Sequence, residues 1–297
     1  MRKISWMLLP VLLGLSACFD LDGLLFRPTE ISVYKFEDYE GETLFDLPDS
    51  FDIAPEMINL LTLESDDDGD KADIYAVYIG DPIRIPRGDT VIVYCHGNND
   101  HMDFYWPRAK LLAHLGGKHN YGVLMVEYRG FGLSGGQPSE SGMYADVDAA
   151  VQWLKGQGMK GNKMILYGFS LGTAAATELA AHPRSYDPMR LILEAPFASS
   201  AIMTQDASLL SIPPYFFTNH VIDNAEEIKE VEVPFLWLHG TEDGFLRIDT
   251  HGEVVYKNYQ GERSQAVRVE GAGHSTIPQT MGTESYLNTI LQFIRTR

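Results

Sequence analysis

The chain has 297 residues, 45% of them hydrophobic, and carries 41 acidic side chains against 23 Lys and Arg, a formal net charge of -18. That length suffices for one large α/β core. The charge argues against a nucleic-acid-binding surface, which needs clustered Lys and Arg, and favours solubility and weak attraction to anionic surfaces.

Arg2 and Lys3 precede an apolar run from Ile4 to Leu15, broken by Pro10. The run is too short for a bilayer span and suits the core of a signal peptide. It leads into Leu15-Ser16-Ala17-Cys18, which resembles the lipobox of bacterial lipoproteins. The resemblance implies removal of residues 1–17, a lipid on Cys18 and a membrane held through that anchor. The expected location is the bacterial cell envelope, and Phe19 in place of Asp favours the outer membrane, facing the periplasm. Cleavage takes away Arg2 and Lys3 and no acid, so the mature chain is more acidic still. With Cys18 lipidated, Cys95 has no disulfide partner, and its place at the end of an apolar run suits a buried, inert thiol. No His-Glu-x-x-His or Cys-x-x-Cys spacing occurs, so no metal is expected.

Residues 18–55 mix acids, prolines and aromatics without a period and read as a tether plus a packed extension. The remaining residues, 56–297, form the main domain. Ile58 to Glu64 and Ala72 to Ile79 read as two strands around Asp66-Asp67-Asp68-Gly69-Asp70, an acidic hairpin turn rather than a calcium loop, because the later ligands of such a loop are missing. Thr90 to Cys95 is a continuous apolar run, as a central strand buried on both faces requires. From there helices and strands alternate. Helices are predicted over 103–115, 140–155, 248–259 and 283–294, with strands over 122–127, 163–167, 190–194, 233–238 and 265–269. This alternation predicts an α/β fold with a mostly parallel central sheet and helices on both faces. Between residues 196 and 222 the pattern gives way to an apolar, proline-broken stretch. It reads either as a small cap over a site or as a buried connection.

Gly168-Phe169-Ser170-Leu171-Gly172 lies between a strand signal and a small-residue helix that ends at His182-Pro183. Strand, tight turn and helix make this Gly-x-Ser-x-Gly a nucleophile elbow, with Ser170 presented above the sheet. A serine there needs a base oriented by a carboxylate. In the chain order Ser, acid, His, the loop after residues 235–238 supplies Asp243, favoured over Glu242 and over Glu194 at an earlier strand end. The loop after 266–269 supplies His274. The backbone N–H groups of Leu171 and of Asn98, or else Asn99, are the expected oxyanion donors. His96 reads as structural.

As a set, His96-Gly97-Asn98, Glu127-Tyr128-Arg129-Gly130-Phe131-Gly132-Leu133-Ser134-Gly135-Gly136, Gly168-Phe169-Ser170-Leu171-Gly172, Glu194-Ala195-Pro196-Phe197, His239-Gly240-Thr241-Glu242-Asp243 and Gly273-His274 resemble the α/β-hydrolase superfamily. The likeness spans residues from about 60 to 297 and is greatest to its lid-poor serine hydrolases, a group containing protein depalmitoylases and lysophospholipid or monoacylglycerol hydrolases. It implies hydrolysis of an ester or thioester of a small-molecule or acyl substrate through an acyl-enzyme, with no cofactor. A peptidase and a non-catalytic binding lipoprotein are the alternatives. Asn98-Asn99-Asp100-His101 departs from relatives, which often have smaller residues there.

Overall fold

The structure, a computed structural model, describes residues 25–42, 45, 47–160, 163–208 and 221–296. The signal peptide, Cys18 and the most apolar part of the expected cap, residues 209–220, lie outside the described residues.

Eight strands form one sheet: β1 (Ile58–Asp67), β2 (Asp70–Ile79), β3 (Val91–Cys95), β4 (Gly122–Val126), β5 (Met164–Phe169), β6 (Arg190–Glu194), β7 (Phe235–Gly240) and β8 (Ser264–Val269). Their spatial order is β8-β7-β6-β5-β3-β4-β2-β1. Only β2 runs antiparallel to its neighbours β1 and β4; all other pairs are parallel. Strands β3, β4 and β5 are buried at every residue, which explains why their sequences are unbroken apolar runs rather than alternating ones. The edge strand β1 alternates because one of its faces meets water. The acidic segment forms the β1–β2 hairpin. Asp68 and Gly69 both take positive φ, and Asp66 Oδ1 accepts the Gly69 N–H at 2.7 Å.

Successive residues of one strand face opposite sides, so two cores result. Val91, Val93 and Cys95 face the helices α2 (Glu140–Gly156) and α3 (Gly172–Ala181), whereas Ile92 and Tyr94 face α1 (Met102–Ala113) and the C-terminal α8 (Thr283–Arg295). Between these come the shorter α4 (Ser200–Ser208), α5 (Asn224–Glu227), α6 (Gly252–Asn258) and α7 (Ile277–Met281). Helix α6 starts four residues later than its apolar spacing predicts. His251 stands just before its first turn, and its Nδ1 accepts the N–H of Ala198 at 3.1 Å. Cys95 is fully buried, and burial pushes its thiol well above the usual range, which keeps it inert.

The described residues before β1 are bound to the domain at several points. Arg27–Pro28 pairs in parallel with Asn99–Asp100. The Lys35 and Phe36 N–H groups donate to Asp103 at 2.7 and 2.9 Å, and Tyr34 donates to Glu127 Oε2 at 2.9 Å. Lys110 bridges Glu37 and Asp52. Together these bonds fasten the extension to the start and outer face of α1.

Helix α3 approaches β3 closely at Gly172. A Cβ added at Gly172 would lie 2.1 Å from the Cys95 carbonyl oxygen, which is backbone and cannot swing aside. Gly172→Ala is therefore expected to cost about 1–3 kcal/mol through overpacking and to lower Tm by several degrees, as read by thermal denaturation.

Candidate active site

Ser170 sits between β5 and α3 with φ of 52°, a left-handed conformation unfavourable for any residue with a Cβ. Its backbone is fixed on both sides. The Ser170 N–H donates to Glu194 O at 3.0 Å, while the Ser170 carbonyl accepts from Thr173 N and from Thr173 Oγ1 at 2.6 Å. A Cβ at Gly168 would come within 2.6 Å of the Gly172 carbonyl, so the two glycines permit the turn.

The Ser170 hydroxyl lies 2.9 Å from His274 Nε2, and His274 Nδ1 lies 2.7 Å from Asp243 Oδ2. His274 comes from the loop after β8 and Asp243 from the loop after β7, both at the carboxyl edge of the sheet where the elbow also stands. Asp243 Oδ1 accepts the N–H groups of Phe245 and Leu246 at 2.9 and 2.8 Å. Its side chain is wholly buried, and burial alone would push its carboxyl up. Hydrogen bonds from His239, His274 and the Leu246 N–H, with the nearby His274, outweigh that and hold it well below the usual carboxylate range. The two rival acids lie elsewhere. Glu242 is exposed, and the Glu194 carboxylate accepts from Arg108 Nη1 at 2.6 Å, from Tyr286 at 2.7 Å and from Tyr167.

Leu171 begins the helical turn leading into α3 with φ of -53° and ψ of -42°, and Leu171 and Asn98 both line the space beside Ser170. The Asn99 N–H is donated to the Tyr105 hydroxyl at 3.3 Å. The carbonyl of Asn98 is held by the Arg27 N–H at 2.9 Å. His96 is fully buried beneath this loop, stacked on Tyr105 and bonded to Gly97 O and Glu127 Oε1, a structural setting.

Two spaces meet at the serine. The larger, about 360 Å³, is walled by Phe104, Tyr105, Phe169 and Phe245 and by the polar residues Arg27, Glu42, Asn99 and His274. The other is a narrow apolar slot of about 10 Å³ between Leu25, Phe197, Met203 and Leu246, too small for more than a water. Among the described residues no group of His, Cys, Asp and Glu could hold a metal ion.

Two contributors, His239 and Arg108, escape sequence reasoning. His239, buried at the end of β7, receives the Trp237 indole N–H on Nδ1 at 3.4 Å. Its proton therefore sits on Nε2, 2.8 Å from Leu246 O and 3.3 Å from Asp243 Oδ2. Arg108, inside α1, is buried between Glu42, which it meets at 2.7 and 3.0 Å, and Glu194. It also donates to Ser275 O at 2.9 Å and lies 3.9 Å from the centre of the Phe169 ring. The guanidinium thus touches the neighbours of both His274 and Ser170. The one sequence signal for it is a lone Arg on a helix whose other residues are mostly apolar.

The serine aminopeptidase, S33 family model matches residues 86–214. Over 210 residues the chain is 30% identical to alpha/beta hydrolase domain-containing protein 17B of Xenopus tropicalis, covering 70% of this chain and 67% of that one. It is likewise 30% identical to human alpha/beta hydrolase domain-containing protein 17C, of which 59% is covered. Among solved structures, an esterase of Pyrococcus furiosus aligns over 91% of this chain and 98% of its own with a TM-score of 0.66 at 15% identity. An esterase of Rhodococcus sp. aligns over 81% and 99% with a TM-score of 0.58 at 20% identity. The chain belongs to the α/β-hydrolase superfamily and has its fold.

Asp243→Asn keeps the shape of the carboxylate and removes its charge, so hydrolytic turnover is expected to fall about 10⁴-fold, measured as kcat on an activated ester. The same group is linked to folding. A carboxyl held below its unfolded value near 3.9 stabilises the fold above that pH, and the contribution is lost as pH falls below it. The Tm gap between the native chain and Asp243→Asn should therefore be widest above about pH 4 and shrink below it.

Proposed function

We propose that this protein is a serine hydrolase that cleaves a carboxylic ester or thioester through an acyl-enzyme. The observation that carries the reading is the continuous hydrogen-bonded chain from Ser170 through His274 to Asp243 on a positive-φ elbow. His274 Nε2 takes the hydroxyl proton as Ser170 Oγ bonds to the acyl carbon. Asp243 fixes the imidazole and balances the charge it gains. The N–H groups of Leu171 and Asn98 receive the oxyanion, the first favoured by the dipole of α3. The C–O or C–S bond then breaks, and the proton on His274 passes to the departing alcohol or thiol. Water repeats the sequence, releasing the acid and restoring Ser170. No step in this scheme calls on a cofactor.

The aminopeptidase description of the matching family model supports an amidase as the second reading. An aminopeptidase needs a carboxylate to hold the substrate's α-ammonium group. Among the described residues the acid that lines the cavity, Glu42, has both oxygens on Arg108, and the exposed Arg27, which also lines it, would repel an ammonium. That balance favours esters. The lipid on Cys18 and a place in the bacterial outer membrane belong to the same reading and follow from the lipobox resemblance.

Replacement of Ser170 by Ala should lower kcat toward p-nitrophenyl esters by roughly 10⁴-fold or more while leaving the fold intact. Across p-nitrophenyl esters from acetate to palmitate and a matched set of aminoacyl anilides, the esters should be turned over faster. Faster anilide turnover would move the assignment to a peptidase.

A further inference from the structure

The two spaces at Ser170 differ in their relation to the imidazole. His274 and Ser275 line the larger one, of about 360 Å³, and neither lines the apolar slot. The atom that leaves takes its proton from His274 Nε2, so the departing group lies on the side of Ser170 where the imidazole stands. The larger space is therefore the place for the departing alcohol or thiol, and the charge of its walls bears on which of them bind.

Two charged residues of the N-terminal extension line that space. Glu42 is buried, with both oxygens on Arg108 at 2.7 and 3.0 Å, so its charge is already met. Arg27 is exposed, and among the described residues it forms no ion pair. Carboxylates are in excess, 41 acids against 23 Lys and Arg, and Arg84, Arg129, Arg184, Arg247 and Arg268 each meet one at 3.3 Å or less. Asp100, next to the residue that pairs with Arg27, accepts the Thr29 hydroxyl at 3.2 Å.

The backbone that carries this cation is fixed. The Arg27 N–H donates to Asn98 O at 2.9 Å, and Arg27 pairs in register with Asn99. A guanidinium anchored in this way presents a planar fork of N–H donors that matches a carboxylate or a phosphate. The net charge of -18 does not cancel it, because charges more than about 8 Å away are screened at physiological ionic strength and Arg27 acts within that distance.

We infer, on the serine hydrolase reading, that Arg27 selects substrates whose departing alcohol or thiol carries an anionic oxygen group, a carboxylate or a phosphate, and binds that group. Arg27 does not touch the reacting atoms. Its contribution falls on substrate binding, so it is read in KM more than in kcat.

The test compares 4-(butyryloxy)benzoate with 4-(butyryloxy)benzamide, which share the acyl group and the shape of the phenol and differ in one negative charge. A phosphate arm uses 4-(butyryloxy)phenyl phosphate, and p-nitrophenyl hemisuccinate against p-nitrophenyl butyrate puts the charge on the acyl side instead. Each is measured with the native chain, Arg27→Gln and Arg27→Lys, so the intrinsic reactivity of each ester cancels between proteins. In Arg27→Gln the anionic-to-neutral ratio of kcat/KM is expected to fall roughly five- to tenfold, chiefly through KM, and Arg27→Lys to restore most of it. Whichever of the carboxylate and phosphate arms falls further identifies the group that Arg27 takes. Equal losses on charged and neutral esters would overturn the inference, leaving Arg27 as a wall only. A fall confined to the hemisuccinate would overturn the placement of the charge on the departing group. Failure of the native chain to hydrolyse any of these esters would overturn the hydrolase reading and the inference with it, a different pattern from a loss that ignores charge.

Discussion

The backbone of Ser170 is held in a conformation that it would not adopt alone, and the arrangement of the site follows from that constraint. A positive φ at a non-glycine residue costs on the order of 1–3 kcal/mol and persists only where the surroundings leave no alternative. Here the surroundings are the Glu194 carbonyl on one side and the backbone and hydroxyl of Thr173 on the other. Gly168 and Gly172 let α3 approach β3 closely enough for both to act. The result is a hydroxyl above the carboxyl edge of the sheet, where the loops after β7 and β8 bring Asp243 and His274 to meet it.

Beneath this surface lies a buried charge network with one cation and two anions. Burial works against the charge of Arg108, and Glu42 and Glu194 overcome that, holding its guanidinium protonated. The second oxygen of Glu194 is satisfied by the hydroxyls of Tyr167 and Tyr286, so the excess negative charge is hydrogen-bonded rather than bare. Because Arg108 also binds the carbonyl of Ser275 and stacks on Phe169, the network ties the His274 loop to the elbow through one rigid group. Glu42 brings the N-terminal extension into the same network.

Much of this was legible in the sequence where the determinants are local. The elbow is a five-residue pattern between a strand and a helix, and the strand-end positions of Asp243 and His274 follow from topology alone. The sheet read well for the same reason, since β3, β4 and β5 are buried on both faces and need unbroken apolar runs. The extension was opaque because it has no period of its own. Its order comes from single bonds to residues some sixty or more positions away, such as Tyr34 to Glu127 and Glu42 to Arg108. The bond from the Asn99 N–H to the Tyr105 hydroxyl was equally closed to inspection, since nothing local in the sequence pairs the two. His239 stood in plain view within His239-Gly240-Thr241-Glu242-Asp243, yet its proton position depends on the indole of Trp237.

Everything proposed for this site depends on Ser170 being a nucleophile activated by His274. The most direct test is to treat the folded protein with a fluorophosphonate, digest it and locate the adduct by mass spectrometry. A single adduct on Ser170 is expected in the native chain, and its loss when His274 is replaced by Ala. An adduct on another residue, or an unreactive native protein whose fold is intact, would contradict it.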